Sequence, residues 1–181
     1  MSNHAGLLLL FLPFLHFFSS CSSPAENNIP EPRISSDMPG TDSVVVDRLI
    51  KRSAEQYGQG GVHIDISDNY LTEAEEIART NNNYDQLARI NNLIGQRYRN
   101  RARYGEAMAF HQKALDFATR AGNNNLLAQV YNQIGVVYRR IDDNPNALEM
   151  HVKALQMAEE AEDSALISSA INSIGNVNYN L

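Results

Sequence analysis

The stretch "LAQVYNQIGVVY", residues 127–138, decides the fold because the chain contains it in more than one version. Forty residues earlier the chain reads "LARINNLIGQRY", residues 87–98. Segments 87–126 and 127–166 are identical at 15 of their 40 positions. A third version, "ISSAINSIGNVN", opens a partial unit at 167–181. A period of this length is typical of arrays in which one supersecondary unit stacks on the next.

Apolar residues within the repeat recur at helical spacing. Leu127, Val130, Ile134, Val137 and Ile141 lie three or four positions apart, which places them on one face of a helix. Each repeat has room for two such helices joined by a short turn. The pattern predicts an all-α fold of antiparallel helix pairs.

Helix caps can be predicted between the apolar stretches. The turn "DDNPNA", residues 142–147, places Asn144 as a cap and Pro145 as the first helical residue, where its missing N–H has no helical partner. Asn, Asp or Ser in "NNN" at 81 and 123 and in "EDS" at 162 would cap the first helices.

Small residues recur where the two helices of a repeat must meet. Gly95 and Gly135 lie on the first helices, and alanines recur on the second helices. Glycine inside a helix costs about 1 kcal/mol relative to alanine. Close packing against this glycine is the expected compensation. The alanines are Ala107, Ala114, Ala118, Ala147, Ala154 and Ala158.

These positions resemble the forty-residue form of the tetratricopeptide repeat. The motif residues are Ile94, Gly95, Tyr98, Ala107, Ala114 and Leu115, with Ile134, Gly135, Tyr138, Ala147, Ala154 and Leu155 in the second unit. The family's tryptophan position holds Asn91 and Tyr131, and its second-helix aromatic position holds His111 and His151. The resemblance implies a right-handed α-solenoid, with a degenerate helix pair at 44–86 whose inter-helix loop is 58–68.

The resemblance also implies a concave groove lined by first-helix side chains. Asparagine recurs once per repeat there, and a carboxamide can pair with both groups of an extended peptide backbone. The alternative is a set of ordinary exposed side chains on an unoccupied surface. The predicted groove residues are Arg89, Asn92, Gln96, Arg99, Gln129, Asn132, Val136, Arg139, Ser169, Asn172 and Asn176.

The N-terminus predicts export. Residues 1–20 contain no Asp, Glu, Lys or Arg, and Leu7 to Phe18 form an apolar run suited to a signal peptide. The run ends in "FSSC", which resembles a bacterial lipobox and makes Cys21 the expected lipidation site. A plain signal peptide with a secreted or periplasmic product, or an uncleaved anchor, is the alternative. Residues 21–43 are predicted to be a flexible tether from the cell-envelope membrane.

No active site is predicted. The net charge of −6 argues against nucleic acid as a partner, and alternate arginines in "RYRNRAR" at 97–103 would not share a helix face. His111 and His151 have no further His or Cys at metal-ligand spacing, so packed histidines are favoured over a metal pair. The glycines near residue 60 lack the GK[ST] of a phosphate loop. We expect no cofactor.

The sequence therefore predicts a non-enzymatic scaffold for a protein or peptide partner, with Arg89, Arg99 and Arg139 favouring an acidic one. The alternative is the sensory input part of a larger signalling protein, such as a sensor histidine kinase of this repeat type. We expect the array to continue beyond Leu181 in either case.

Overall fold

The computed structural model describes residue 35, residues 40–59 and residues 63–178, except for the side chains of 59 and 63–66. These segments form helices joined by short turns and contain no strand, which confirms the all-α prediction. The helices are α1 (Asp42–Gln59), α2 (His63–Thr80), α3 (Tyr84–Asn100), α4 (Tyr104–Ala121), α5 (Asn124–Arg140), α6 (Asn144–Glu160) and α7 (Ser164–Asn178).

The predicted signal peptide at 1–20, the lipidation site Cys21 and most of the predicted tether at 21–43 lie outside the described residues. One tether residue that is described, Ser35, donates its backbone N–H to Oε1 of Glu73 on α2 at 3.0 Å. The tether is therefore in contact with the helical array at this residue.

The helices stack as pairs. α1 packs on α2, α3 on α4 and α5 on α6, and α7 rests on α5 and α6. Successive first helices (α1, α3, α5, α7) also touch each other, whereas the described second helices (α2, α4, α6) hardly do. The first helices therefore line the inner face of a helix-pair solenoid, as predicted.

Every described turn between consecutive helices from α2 onward contains one residue in the left-handed region. These residues recur every twenty positions with φ between 51° and 65°, and only one of them is glycine. The backbone N–H that follows each of them bonds to a carbonyl five residues earlier, for example Asn83 to Ala78 at 2.9 Å. This is the Schellman arrangement that satisfies the last carbonyls of a helix. The left-handed residues are Asn82, Ala102, Gly122, Asp142 and Glu162.

Side-chain caps open three helices as predicted. Oδ1 of Asn83, Asn123 and Asp163 accepts the backbone N–H three residues later at 3.2, 3.1 and 3.0 Å. The predicted cap of α6 is wrong by one residue. Asp142 is the left-handed residue of the turn after α5, and Asp143, which directly follows it, is the cap of α6. Asn144 is instead the first residue of α6.

The predicted loop at 58–68 is also wrong, because α2 already begins at His63. Two small buried residues hold α1 and α2 together there. Ser53 donates Oγ–H to the carbonyl of Ser67 at 2.9 Å, and Ser67 donates to the carbonyl of Ser53 at 2.7 Å. This reciprocal pair lets the helices approach closely and keeps residues near Ser67 helical.

An imidazole ring fills the space above the glycine of each complete repeat. A Cβ added to Gly95 would lie 2.7 Å from Nδ1 of His111, and one added to Gly135 would lie 2.6 Å from Cε1 of His151. Both histidines are fully buried. The expectation of packed histidines is confirmed, and the close packing at the glycine is made by a side chain of the second helix.

The buried imidazoles have few hydrogen-bond partners. Oδ1 of Asn92 can only accept, so Nδ1 of His111 carries the proton and donates to it at 2.9 Å. Nε2 of His111 and both ring nitrogens of His151 lack a partner among the described residues. Burial, followed by the nearby charges of Arg99 and Arg139, lowers the pKa of His111 and His151 to about 4.

The last described helix is less covered than its equivalents. Ile171 on α7 is 53% exposed, and a Cβ added to Gly175 would meet nothing within 4 Å. Residues 164–178 also contain no charged side chain. α7 therefore exposes the face that α3 and α5 cover with a histidine-bearing second helix.

We predict that Gly95→Ala destabilises the fold and that Gly175→Ala does not. The new methyl group at 95 must displace the His111 ring, at an expected cost of about 1–3 kcal/mol in the free energy of unfolding. At 175 the space is open, and we expect a neutral or slightly stabilising change. Urea unfolding of both variants measures the difference.

The control for this prediction is the variant that combines Gly95→Ala with His111→Ala. Removing the ring should make the alanine at 95 less costly than it is in the parent. Equal effects of the alanine at 95 and at 175 would show that the imidazole does not constrain the glycine.

We also predict that acid weakens the array through its histidines. Their folded pKa, about 4, lies below the ordinary value of 6.5, so their stabilising effect is complete above pH 6.5 and is lost as the pH falls towards 4. The loss can reach about 3 kcal/mol for each histidine. The free energy of unfolding should change less with pH across this range in the variant His111→Phe plus His151→Phe, which keeps a ring over each glycine. Urea unfolding at several pH values measures this dependence. An unchanged slope in that variant would assign the acid sensitivity to other groups.

Candidate partner-binding groove

The predicted groove residues lie on the first helices α3, α5 and α7, but they differ in exposure. Asn92 is buried, with only 6% of its surface exposed. The half-buried residues are Gln96, Arg99, Asn132, Val136 and Arg139, and the exposed ones are Arg89, Gln129, Ser169, Asn172 and Asn176.

The three asparagines predicted to form a ladder have different environments. Asn92 uses its carbonyl oxygen to accept from His111, so this atom is not available to a ligand while that bond is made. Asn132 donates Nδ2–H to Oγ of Ser169 across α5 and α7 at 3.4 Å, and its Oδ1 is buried without a partner in the described part of the chain. Asn172 is exposed. The asparagine repeat of the sequence is therefore not an equivalent row of side chains on the surface.

An acid from the degenerate first pair neutralises one predicted groove arginine. Nη1 of Arg89 lies 3.1 Å from Oδ1 of Asp47 on α1, and about half of each side chain is exposed. Sequence reasoning missed Asp47, because the helix pair at 44–86 aligns only loosely with the repeats. The positive charge of the groove therefore comes from Arg99 and Arg139 rather than from Arg89.

Arg99 lies at the centre of a cluster of cations. Its Nη1 donates to Oε1 of Gln133 on α5, and its Nη2 donates to Oδ1 of Asn100 at 3.3 Å. Burial, then the charge of Arg140, then that of Arg139 lowers the pKa of Arg99. Gln133 and Arg140 were missed by the sequence analysis. The adjacent pair of arginines at the end of α5 was the available signal.

The other arginines of "RYRNRAR" are used within the fold. Arg97 is 5% exposed and forms a 2.6 Å ion pair with Asp68, and its guanidinium lies 4.7 Å from the ring centre of Tyr57. Arg101 pairs with Asp68 at 3.4 Å, and Arg103 pairs with Glu106 at 2.6 Å. Arg99 is the member of this run without a carboxylate partner in the described part of the chain.

Two clefts border these arginines. The first, of about 220 Å³, lies between α2, α3 and α4, and its walls include Arg97 and Arg101 together with their acid Asp68. The second, of about 270 Å³, lies at the ends of α3 and α5 and is lined by Arg99, Asn100, Ala102, Tyr104 and Arg140. The second cleft has cationic walls and no acidic residue among those that line it.

Over residues 40–59 and 63–178, no group of three His, Cys, Asp or Glu side chains is arranged to hold a metal ion. In the same segments, no helix combines the length and the apolar character needed to span a bilayer.

Two segments of the chain match a protein-family model. The tetratricopeptide repeat model matches residues 87–121 and 127–163. The N-terminal domain of stress-induced protein-1 (STI-1) from C. elegans is similar in structure, with a TM-score of 0.54 and 14% identity over 75% of this chain and 98% of that one. BtubC (BKLC) from P. vanneervenii has a TM-score of 0.49 and 14% identity, over 78% of this chain and 67% of that one.

No curated protein matches the sequence significantly. At 14% identity the likeness to the C. elegans domain concerns the fold alone. The two matched segments support tetratricopeptide repeats at 87–121 and 127–163, and the stacking of α3 on α4 and of α5 on α6 agrees with them.

Proposed function

We propose that the chain is a non-enzymatic scaffold that binds an extended, acidic segment of a partner protein along α3, α5 and α7. The observation that carries the proposal is the group of Arg99, Arg139 and Arg140, which has no carboxylate partner among the described residues of a protein with a net charge of −6. Tetratricopeptide repeats generally act as protein-interaction scaffolds, which agrees with this role.

The polar groups available to a ligand are those the fold does not use. Gln129 and Asn172 are exposed on α5 and α7, and each carboxamide can both donate to and accept from a peptide backbone. Asn132 contributes through Nδ2, because its Oδ1 is buried. Asn92 acts inside the repeat by holding His111. The ligand is therefore read mainly by α5 and α7, with the arginines at the end of the groove selecting acidic side chains.

The proposed location is the bacterial cell envelope, with the groove held near a membrane by a lipid on Cys21. The support comes from the sequence: an uncharged apolar run ends in "FSSC", and this cysteine is the only one in the chain. A thioether-linked lipid and a tether of about twenty residues, which contacts the array at Ser35, would hold the helical array away from the membrane surface.

The groove is tested with synthetic peptides of equal length that are acidic, neutral or basic. We expect the acidic peptides to bind the parent chain most tightly, and their affinity should fall as the salt concentration rises. Gln129→Ala plus Asn172→Ala should lower the affinity for acidic and neutral peptides alike, by about tenfold, because these side chains are proposed to contact the peptide backbone. Calorimetry measures the affinities.

The matched control changes two exposed carboxamides of the second helices, Gln112→Ala plus Gln156→Ala. It should leave binding unchanged. Equal losses in the two double variants, or no preference for acidic peptides, would remove the groove assignment. Circular dichroism checks that each variant keeps the parent's helix content.

The anchor is tested by metabolic labelling with a fatty acid. We expect the parent chain to incorporate the label and to sediment with membranes, and Cys21→Ser to lose the label because the acceptor thiol is absent. Conversion of Ser20 to Ala provides a control that keeps a small residue before the cysteine. Equal labelling of the parent and the Cys21 variant would exclude lipidation at this residue.

A further inference from the structure

Helix α1 carries Arg48 and Arg52, and the nine arginines between the start of α2 and the end of α5 fall into two groups. Six of them lie within ion-pair distance of a carboxylate: Arg79, Arg89, Arg97, Arg101, Arg103 and Arg120. Arg99, Arg139 and Arg140 make no such pair within the described segments, although the protein has more acids than bases. These three residues form the second group, and they lie close enough for Arg99 to be influenced by both of the others.

The fold brings the three cations together from separate repeats. Arg99 is in the last turn of α3, and Arg139 and Arg140 are in the last turn of α5. Because α3 and α5 are successive first helices in contact, their C-terminal ends lie side by side. The cleft of about 270 Å³ opens between them, with Arg99 and Arg140 on its walls.

One of the cations is held in place. Arg99 is half-buried, and its guanidinium donates to Gln133 and to Asn100, neither of which carries charge. Its position is thus set by neutral hydrogen bonds, and its charge has no counter-ion among the residues that the structure describes. A guanidinium that is already oriented loses less side-chain entropy when it binds an oxyanion.

The negative ends of two helix dipoles offset part of the repulsion among the arginines. This effect is small for an exposed group and is screened by salt. Burial, then the charges of Arg140 and Arg139, lowers the pKa of Arg99, so part of the lowering is repulsion from these two neighbouring cations. An oxyanion in the cleft would remove the repulsion and gain charge-assisted hydrogen bonds.

We propose that the cleft between the ends of α3 and α5 binds a dianionic oxyanion, with Arg99 and Arg140 as its direct ligands and Arg139 as a supporting charge. A phosphoryl group and a pair of neighbouring carboxylates share this chemistry. The proposal rests on the proposed groove function in one respect: the anion belongs to the segment bound along α3, α5 and α7.

The test titrates the full chain with inorganic phosphate, succinate and acetate at constant ionic strength and follows the backbone amide signals of Asn100 and Tyr104 by NMR. We expect at least one of the two dianions to bind about tenfold more tightly than acetate. Binding of phosphate alone assigns the site to a phosphoryl group, and binding of succinate alone assigns it to paired carboxylates.

Arg99→Gln plus Arg140→Gln should abolish the chemical-shift changes that the dianions cause at Asn100 and Tyr104. The single variant Arg140→Gln should lower the affinity for the dianions. Arg140 is exposed, so its loss should not affect folding. Arg120→Gln is the matched control: it removes the same charge from the last turn of α4, where Arg120 pairs with Asp116 at 3.9 Å. This variant should bind as the parent does.

Equal affinity for acetate and both dianions, or equal losses in the Arg120 and Arg140 variants, would overturn the site. The anions contain no peptide, so this outcome is distinct from failure of the groove proposal. Dianion binding without any peptide binding would support the cleft as an anion site and exclude the groove as a peptide-binding site. If peptides still bind to the variant Arg99→Gln plus Arg140→Gln, the groove is supported as the peptide site and the cleft does not hold the anionic group of the peptide.

Discussion

The packing of an imidazole ring directly on a helical glycine sets the spacing of the two helices in each complete repeat. Gly95 and Gly135 leave no room for a Cβ because His111 and His151 lie against them. The two helices held at this spacing, α3 and α4, both contact α5 of the next repeat.

The same contact changes what the groove can offer. His111 is buried and needs a partner for its Nδ1–H, and Asn92 supplies it at 2.9 Å. One asparagine of the expected ladder is thereby used inside the protein. The second repeat has the same residues, but Asn132 turns towards Ser169 and leaves His151 without a partner in the described segments. Two repeats with the same asparagine, glycine and histidine thus present different polar groups, because α7 has Ser169 where α5 has Gln129.

Charge in the groove depends on contacts across repeats. The arginines at 89, 99 and 139 look alike in the sequence, yet Asp47 pairs with Arg89, whereas Arg99 donates hydrogen bonds to the neutral side chains of Gln133 and Asn100. Arg140, which sequence reasoning did not select, lies on the same cleft as Arg99. The first-helix positions were predictable from the resemblance to the repeat family. Their partners Asp47 and Gln133 were not, since these lie 42 and 34 positions away in the chain.

The sequence by itself determined the helical class and the forty-residue period, and it placed a capping residue within 81–83, 123–125 and 162–164, because apolar spacing and capping act within a few residues. The resemblance to the repeat family added the packing of the two histidines. Only the tertiary structure showed that each repeat consists of two twenty-residue halves with equivalent turns. Four of the five left-handed turn residues are not glycine, so composition does not reveal them. The tertiary structure also decided which asparagine and which arginines remain open to a ligand, because hydrogen bonds and ion pairs depend on distances between helices that no local pattern encodes.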